Sequence, residues 1–416
     1  MPSSISAPAS SPRIETADVV IAGGAAMGSS LACHLASRPG FTGRVIVVEK
    51  DPTYARSASA LSAASIRQQF SSPVNIRISL HGIEFLRNIG EHLAVDGEAP
   101  VIDLKEGGYL YLGDERSRGI MRENNALQRA EGADIALLDR EALKGRFPWL
   151  EPGEDVVLGS LGVTGEGWFD GWALLQAFRR KARSLGVEYR TGEIVDVETA
   201  GGAISAVRLA DGSRIACPTL VNCAGSGGRA LAAKVGLDLP VHARRRYVFT
   251  FTCRERIENC PLLIDTSGVY VRPEGETADG QMFICGVSPD AEEDAGLGWR
   301  DDDPTTQDVD HSWFEERIWP ALATRVPAFE AIRPGRAWAG PYDMCLLDHN
   351  AVIGPAGPSG FHLCNGFSGH GLQQSPAVGR GLAEMIVAGR YTSLDLADLG
   401  WERIIEGRPL LERNVI

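Results

Sequence analysis

The 416-residue sequence predicts an α/β fold, in which a sheet assembled from separated stretches of chain carries a second, α+β domain inserted in two pieces. Three observations support this. Apolar strand runs lead into glycine turns and then helices at three distant places, starting near residues 19, 220 and 361. Between about 240 and 340 the texture changes to strand-like pieces, an acidic loop and a helix. The composition, 44% hydrophobic and 23% charged, is that of a globular chain long enough for about two or three domains.

Residues 1–15 are Ser/Ala/Pro-rich and read as a loose tail. From Val19 to Ser37 there is no charged side chain. Glycine and serine interrupt that run and acids precede it, so it reads as a buried strand, a turn and a helix rather than a signal peptide or membrane span. The strand is Val19–Ala22, the turn Gly23–Gly28, and the helix ends at Pro39-Gly40 before a second buried strand, Arg44–Glu49. Trp172–Leu185 reads as an amphipathic helix followed by a strand over Val187–Arg190. Ile194–Glu198 and Ala203–Leu209 alternate, and Asp211-Gly212 turns the chain into Arg214–Ala216. Leu220–Asn222 is another buried strand ending in a glycine turn. Strands over Tyr247–Thr252, Gly268–Arg272 and Met282–Gly286 precede the acidic loop 290–303 and a helix from about 309. Strands Ala351–Ile353 and Phe361–Cys364 then lead into a glycine turn and a helix to about Ala388.

The formal charge of −13 argues against nucleic acid or an anionic membrane surface as a general partner. The eight cysteines (33, 217, 223, 253, 260, 285, 345, 364) show no metal-binding spacing and read as packed, reduced thiols of a cytoplasmic protein. No metal site is expected.

The first junction has the physics of a dinucleotide site. A pyrophosphate sits on free N–H groups at a helix N-terminus, and glycines let the backbone turn and approach it. Gly23, Gly24, Ala25, Ala26, Met27 and Gly28 form that turn, with Ala25 where the middle glycine would stand. Glu49, 21 residues after Gly28, suits a ribose hydroxyl and repels a 2′-phosphate; Lys50 follows it. The alternative is a tight turn that binds nothing. Ser57, Ser59, Ser62, Ala63, Ala64, Ser65 and Ile66 belong to a run of small residues ending in Arg67, either a surface loop or a bed for a flat ligand.

The sequence resembles the D-amino-acid-oxidase-like FAD oxidoreductases, in particular their sarcosine/dimethylglycine oxidase and dehydrogenase branch. The resemblance rests on GGAAMG at 23–28, SAASIRQQFSSPVNIRISLHGIEFL at 62–86 and GEGWFDGWALLQAFRRKARSLGVEYRTGEI at 165–194. It continues through NCAGSGG at 222–228, GVYVRPEG at 268–275 and the 348–386 block ending GFSGHGLQQSPAVGRGLAEMI. It implies a discontinuous, Rossmann-like FAD-binding domain (16–90, 165–236, 340–405) and a substrate domain with a large mixed or antiparallel sheet (91–164, 237–339). The ADP half of FAD would lie on 23–28 and Glu49, with Val195, Ala224 and Gly225 nearby. The ring would lie between 62–67 and the turn Gly366, Phe367, Ser368, Gly369, His370, Gly371, Leu372, whose N–H groups would face the flavin.

The resemblance also implies oxidation of a small amine, commonly an N-methyl or N-alkyl amino acid or a D-amino acid, by hydride transfer to the flavin and imine hydrolysis. Arg67 matches a carboxylate clamp, or else a helix-terminus ion pair. Gln373 stands where sarcosine oxidases carry a carboxylate-binding lysine, so simple sarcosine is disfavoured. Tyr270 and Arg272 alternate to one side of a strand, where Arg272 could supply the missing cation or face solvent. Tyr270 also falls where the oxygen-activating lysine would be, implying a slow oxidase, or a dehydrogenase passing electrons to a quinone or carrier protein instead of O2. His370 is either a base or a residue that shapes the turn. Gly340 replaces the cysteine that attaches flavin in some relatives. Cys345 lies out of frame, and Cys345-Leu346 departs from the family's Asn-Thr, so FAD is expected to be non-covalent. Two other readings are an assembly or scaffold flavoprotein with little turnover, and an NAD(P) dehydrogenase, which would be colourless when purified.

Overall fold

The computed structural model describes residues 15–413. Its centre is a six-stranded sheet in the order 352–355, 361–365, 219–222, 19–22, 45–49, 188–191. All pairings are parallel except that of 352–355 with 361–365. Val19–Ala22 is buried along its whole length, because a parallel strand is covered on both faces. Val19 and Ile21 join the core beneath helices Ala26–Ser37, Pro73–Arg87, Gly171–Ser184 and Gly371–Ala388. Val20 and Ala22 face the opposite core, shared with a four-stranded sheet that contains 194–200, 203–209 and 214–216.

The second large sheet has eight strands in the order 332–345, 241–253, 280–287, 269–277, 262–264, 109–113, 158–162, 135–138. It is mixed, since 262–264 runs parallel to 109–113 while its other pairings are antiparallel. The α/β fold with a large mixed sheet is thus as expected.

The departures have physical causes. Tyr109–Gly113 and Leu158–Gly162 are buried at every position, so neither shows the alternation that marks a half-exposed strand. The strand expected over Tyr247–Thr252 extends to Val241–Cys253, because it is zipped to the 14-residue strand Ile332–Cys345. That second strand, broken by Pro334 and Gly335, gives no strand signal on its own and runs straight through position 340. The helix expected from about 309 begins at Ser312 and passes through a π turn, Phe314–Ile318, into Trp319–Arg325. The acidic loop holds a short helix, Ala291–Gly296, started by an Asp290/Glu293 capping box. Of the expected tail, residues 1–14 lie outside the described residues. Glu15, however, pairs beside Ile215 and bonds to Arg44 and Arg190. Among the described residues, no helix is long and apolar enough to cross a membrane.

Candidate active site

The carboxyl ends of the parallel strands open onto a cleft of about 350 Å³. Its walls start at the carboxyl ends of four neighbouring strands, at Gly23, Glu49, Cys223 and Cys364, on either side of the point where strand order reverses. Gly23 (φ +92°) needs glycine because a Cβ would sit 2.3 Å from the Cys223 carbonyl oxygen. A Cβ on Gly28 would sit 1.9 Å from the Gly23 carbonyl oxygen, so this glycine permits close helix–strand packing. Ala25 at the middle position lines the cleft while packing against the core.

Two helices open onto this cleft with no cap from their own N-cap side chains, though Ser59 Oγ accepts the Ala26 N–H at 3.3 Å. Ala26–Ser37 begins after Ala25 and has no acid in its first turn; Gly371–Ala388 begins after His370 and has none either. The first peptide N–H groups of a helix have no intrahelical acceptor and attract anions. Glu49 accepts the N–H of Gly24 (2.8 Å) and of Asp51 (2.9 Å), which fixes its carboxylate at the cleft wall; burial pushes its pKa up. A carboxylate, two helix starts and a glycine turn in one cleft fit an extended dinucleotide.

The expected cofactor residues fall into two groups. Gly23, Ala25, Ala26, Met27, Glu49, Lys50, Ser57 and Ser59 line the cleft, as do Val195, Ala224 and Gly225, and Phe367, Gly369, Gly371 and Leu372 of the last turn. Gly24 and Gly28 do not; they are packing positions, with Gly24 pressed against the Tyr54 hydroxyl. Ala64 and Ile66 belong to the core, and Ser65 pairs with Trp168. Ser62 caps the Ala64 N–H at 3.0 Å, and the Ala63 carbonyl is gripped by Arg272. In the last turn, the N–H groups of Gly366, Ser368 and His370 are taken by the Asp343 carboxylate, the Asp343 carbonyl and the Phe367 carbonyl. Among the described residues, the N–H groups left to spare are those of Gly369 in the turn and of Gly371 and Leu372 at the helix start. Burial pushes Asp343 up to about 6.

Beyond the turn lies Arg67, 5% exposed. Among the described residues no carboxylate comes within 4 Å of its guanidinium, and its Nε has no partner. Its backbone N–H donates to Gln373 Oε1 (2.8 Å), and its Nη2 donates to His370 Nε2 (3.1 Å). A guanidinium cannot accept, so His370 uses its Nε2 lone pair on Arg67. Burial and the Arg67 charge hold His370 well below its usual pKa, and the ring is neutral. Phe70 (4.5 Å), Tyr109 and Tyr111 (both 5.9 Å) surround the cation, and the buried Tyr111 hydroxyl also lacks a partner.

Arg272 and Tyr270 share a side, as alternation predicts, but Arg272 is committed. Its Nε donates to the Ala63 carbonyl (3.0 Å) and it is paired with Glu274, so it staples the small-residue segment. Tyr270 lies over Gly286, and burial raises its phenol well above the usual range. Sequence reasoning missed Phe70, Tyr109, Tyr111 and Glu166. The Tyr-Leu-Tyr-Leu alternation at 109–112 was the available signal for the tyrosines. Glu166 is fully buried; it accepts the N–H groups of Gln68 and Gln69 and the Gln69 amide, beneath the Arg67 loop. Cys345 is buried and does not line the cleft.

Comparison with known proteins agrees with this geometry. A family model described as FAD dependent oxidoreductase (DAO) matches residues 18–385. FAD-dependent oxidoreductase domain-containing protein 1 of Xenopus laevis is 41% identical over 437 residues, covering 97% of this chain and 85% of that protein. Mitochondrial sarcosine dehydrogenase of Homo sapiens is 25% identical, covering 92% of this chain and 41% of its own. The crystal structure of L-proline dehydrogenase from P. horikoshii superposes with a TM-score of 0.81 at 24% identity, covering 95% of this chain and all of that one. The chain therefore belongs to the DAO family of FAD-dependent oxidoreductases, and its cofactor is FAD.

Proposed function

We propose that the protein oxidises the C–N bond of a small amine that carries a carboxylate, an N-substituted or D-amino acid. Bound FAD, held without a covalent link, would supply the two-electron acceptor, taking hydride from the carbon beside nitrogen to leave an imine that water hydrolyses. Residues 16–90, 165–236 and 340–405 are assigned to FAD, and 91–164 with 237–339 to the substrate. Electrons would then pass to O2 or to a quinone or protein carrier.

One observation carries the reading: Arg67 is a buried cation with no carboxylate partner and an unpartnered Nε among aromatic rings. Burying a charge is costly unless it is paired, so the site calls for an anionic group on its ligand. Gln373 and His370 orient Arg67 from the backbone and side-chain sides. Phe70, Tyr109 and Tyr111 exclude water, which strengthens the charge pairing. Neutral His370, with its lone pair engaged, acts through Arg67 rather than as a base.

The test is anaerobic flavin reduction across N-methyl amino acids, D-amino acids and the matching amines without a carboxylate. Arg67→Ala should weaken carboxylate substrates roughly ten- to a hundredfold while leaving the plain amines unchanged. Unchanged affinity for the acids would remove Arg67 from this role. If no amine bleaches the flavin, the assembly reading replaces the catalytic one.

A further inference from the structure

Several acids of the stretch 290–303 are tied down by arginines. Glu293 is paired with Arg317, and Asp294 with Arg244 (3.0 Å) and Arg246 (2.6 Å). After that short helix the chain is stitched to strand Val241–Cys253. Arg245 N–H donates to the Leu297 carbonyl (2.7 Å), and Trp299 N–H donates to the Ala243 carbonyl (3.1 Å). The Trp299 ring is buried. This end is a fixed anchor.

The next two residues reach to the other sheet. The Asp301 carboxylate accepts the Trp299 indole N–H (2.7 Å) on one oxygen and the Lys50 ammonium on the other. The Asp301 carbonyl accepts Arg56 Nη1 (2.8 Å). Lys50 and Arg56 flank the loop after strand Val45–Glu49, and both line the FAD cleft together with Asp301 and Glu49. We propose that Leu297–Asp303 is a strap across the Glu49 end of the FAD cleft, and that Asp301 is its latch. The buried Trp299 aims the latch, and the two cations receive it.

The physical character of the latch sets its behaviour. Lys50 and Asp301 are 42% and 25% exposed, so salt screens their attraction, whereas the Trp299 anchor is apolar and salt does not weaken it. The strap should open by releasing Asp301 while its root stays fixed, and FAD should leave by that opening. The inference concerns cofactor retention and does not depend on which amine is oxidised.

The experiment follows release of FAD from the holoprotein, by the rise of free-flavin fluorescence after dilution into an apoflavoprotein trap. Asp301→Asn and Lys50→Met should each speed release roughly tenfold, the size of one charge-assisted bond. The double variant should be no faster than either single one, because both remove the same contact. Sodium chloride should speed release from the unmodified protein and leave Asp301→Asn unaffected. Asp302→Asn, one residue along and paired only with exposed Arg300, is the control and should release FAD at the original rate. The proposal falls if Lys50→Met leaves the release rate unchanged, if the two effects multiply in the double variant, or if Asp302→Asn matches Asp301→Asn.

Discussion

Replacing Glu166 by glutamine tests the electrostatics beneath the Arg67 loop. The side chain is fully buried and accepts from Gln68 N–H, Gln69 N–H (3.1 Å) and Gln69 Nε2 (2.8 Å). Burial nevertheless dominates and pushes its pKa from 4.5 to about 7. A raised carboxylate pKa means that the folded protein holds a proton that the unfolded chain has released between those two values. Stability therefore falls as pH rises through that window. At about 1.4 kcal/mol per pH unit, the ionised side chain costs ~3 kcal/mol once pH exceeds 7. Glu166→Gln has no proton to lose. The stability gap between variant and wild type should move by about 3 kcal/mol in favour of the variant from pH 4.5 to pH 8. Urea denaturation at saturating FAD, at several pH values, measures that gap, and taking the difference cancels other titrations, including Asp343. A gap that stays constant across the range would refute the argument, since Glu166 would then ionise as an ordinary carboxylate. The fixed offset reports a second effect. Rotating the Gln69 amide to meet the new NH2 group would turn its oxygen toward the Tyr109 carbonyl, which now accepts Gln69 Nε2 at 3.0 Å. One bond is lost in either orientation, at about 1–3 kcal/mol.

Two further outcomes follow from packing and pairing. Gly28→Ala sets a methyl carbon 1.9 Å from a backbone oxygen, so the turn or helix must shift at about 1–3 kcal/mol. The purified protein should show a lower flavin-to-protein absorbance ratio; an unaltered ratio would count against close packing at this turn. Arg403→Met strands Asp348, the two being 1% and 0% exposed and 2.9 Å apart, and should cost about 3–5 kcal/mol in urea denaturation. Removing the acid as well, as Arg403→Met with Asp348→Leu, should recover part of that loss.

Much of the FAD cleft was legible because its parts obey local rules. Val19–Ala22 and Val45–Glu49 are continuous apolar runs, Gly23 needs a left-handed backbone, and Glu49 sits at a strand end. The substrate side was less legible. Arg67 was identifiable as a cation after a run of small residues, but its partners Gln373 and His370 lie 306 and 303 residues away. Alternation correctly set Arg272 beside Tyr270, yet could not show that Glu274 and the Ala63 carbonyl already occupy it. The small-residue run that holds Ala64 and Ile66 suggested contact with a ligand, and the structure buries both in the core instead.

By itself the sequence determined the continuous apolar strands of the central sheet and where the backbone must turn on glycine before a helix. Those properties depend on residues within a few positions of one another. Only the tertiary structure decided which charges stand alone. Arg67 and Arg272 are the same residue type and are told apart solely by what the fold brings to them. One meets a carboxylate and a carbonyl, the other aromatic rings and a neutral imidazole. The cost of burying a charge is settled by its neighbours in space, and in a chain of this length those neighbours come from far along it.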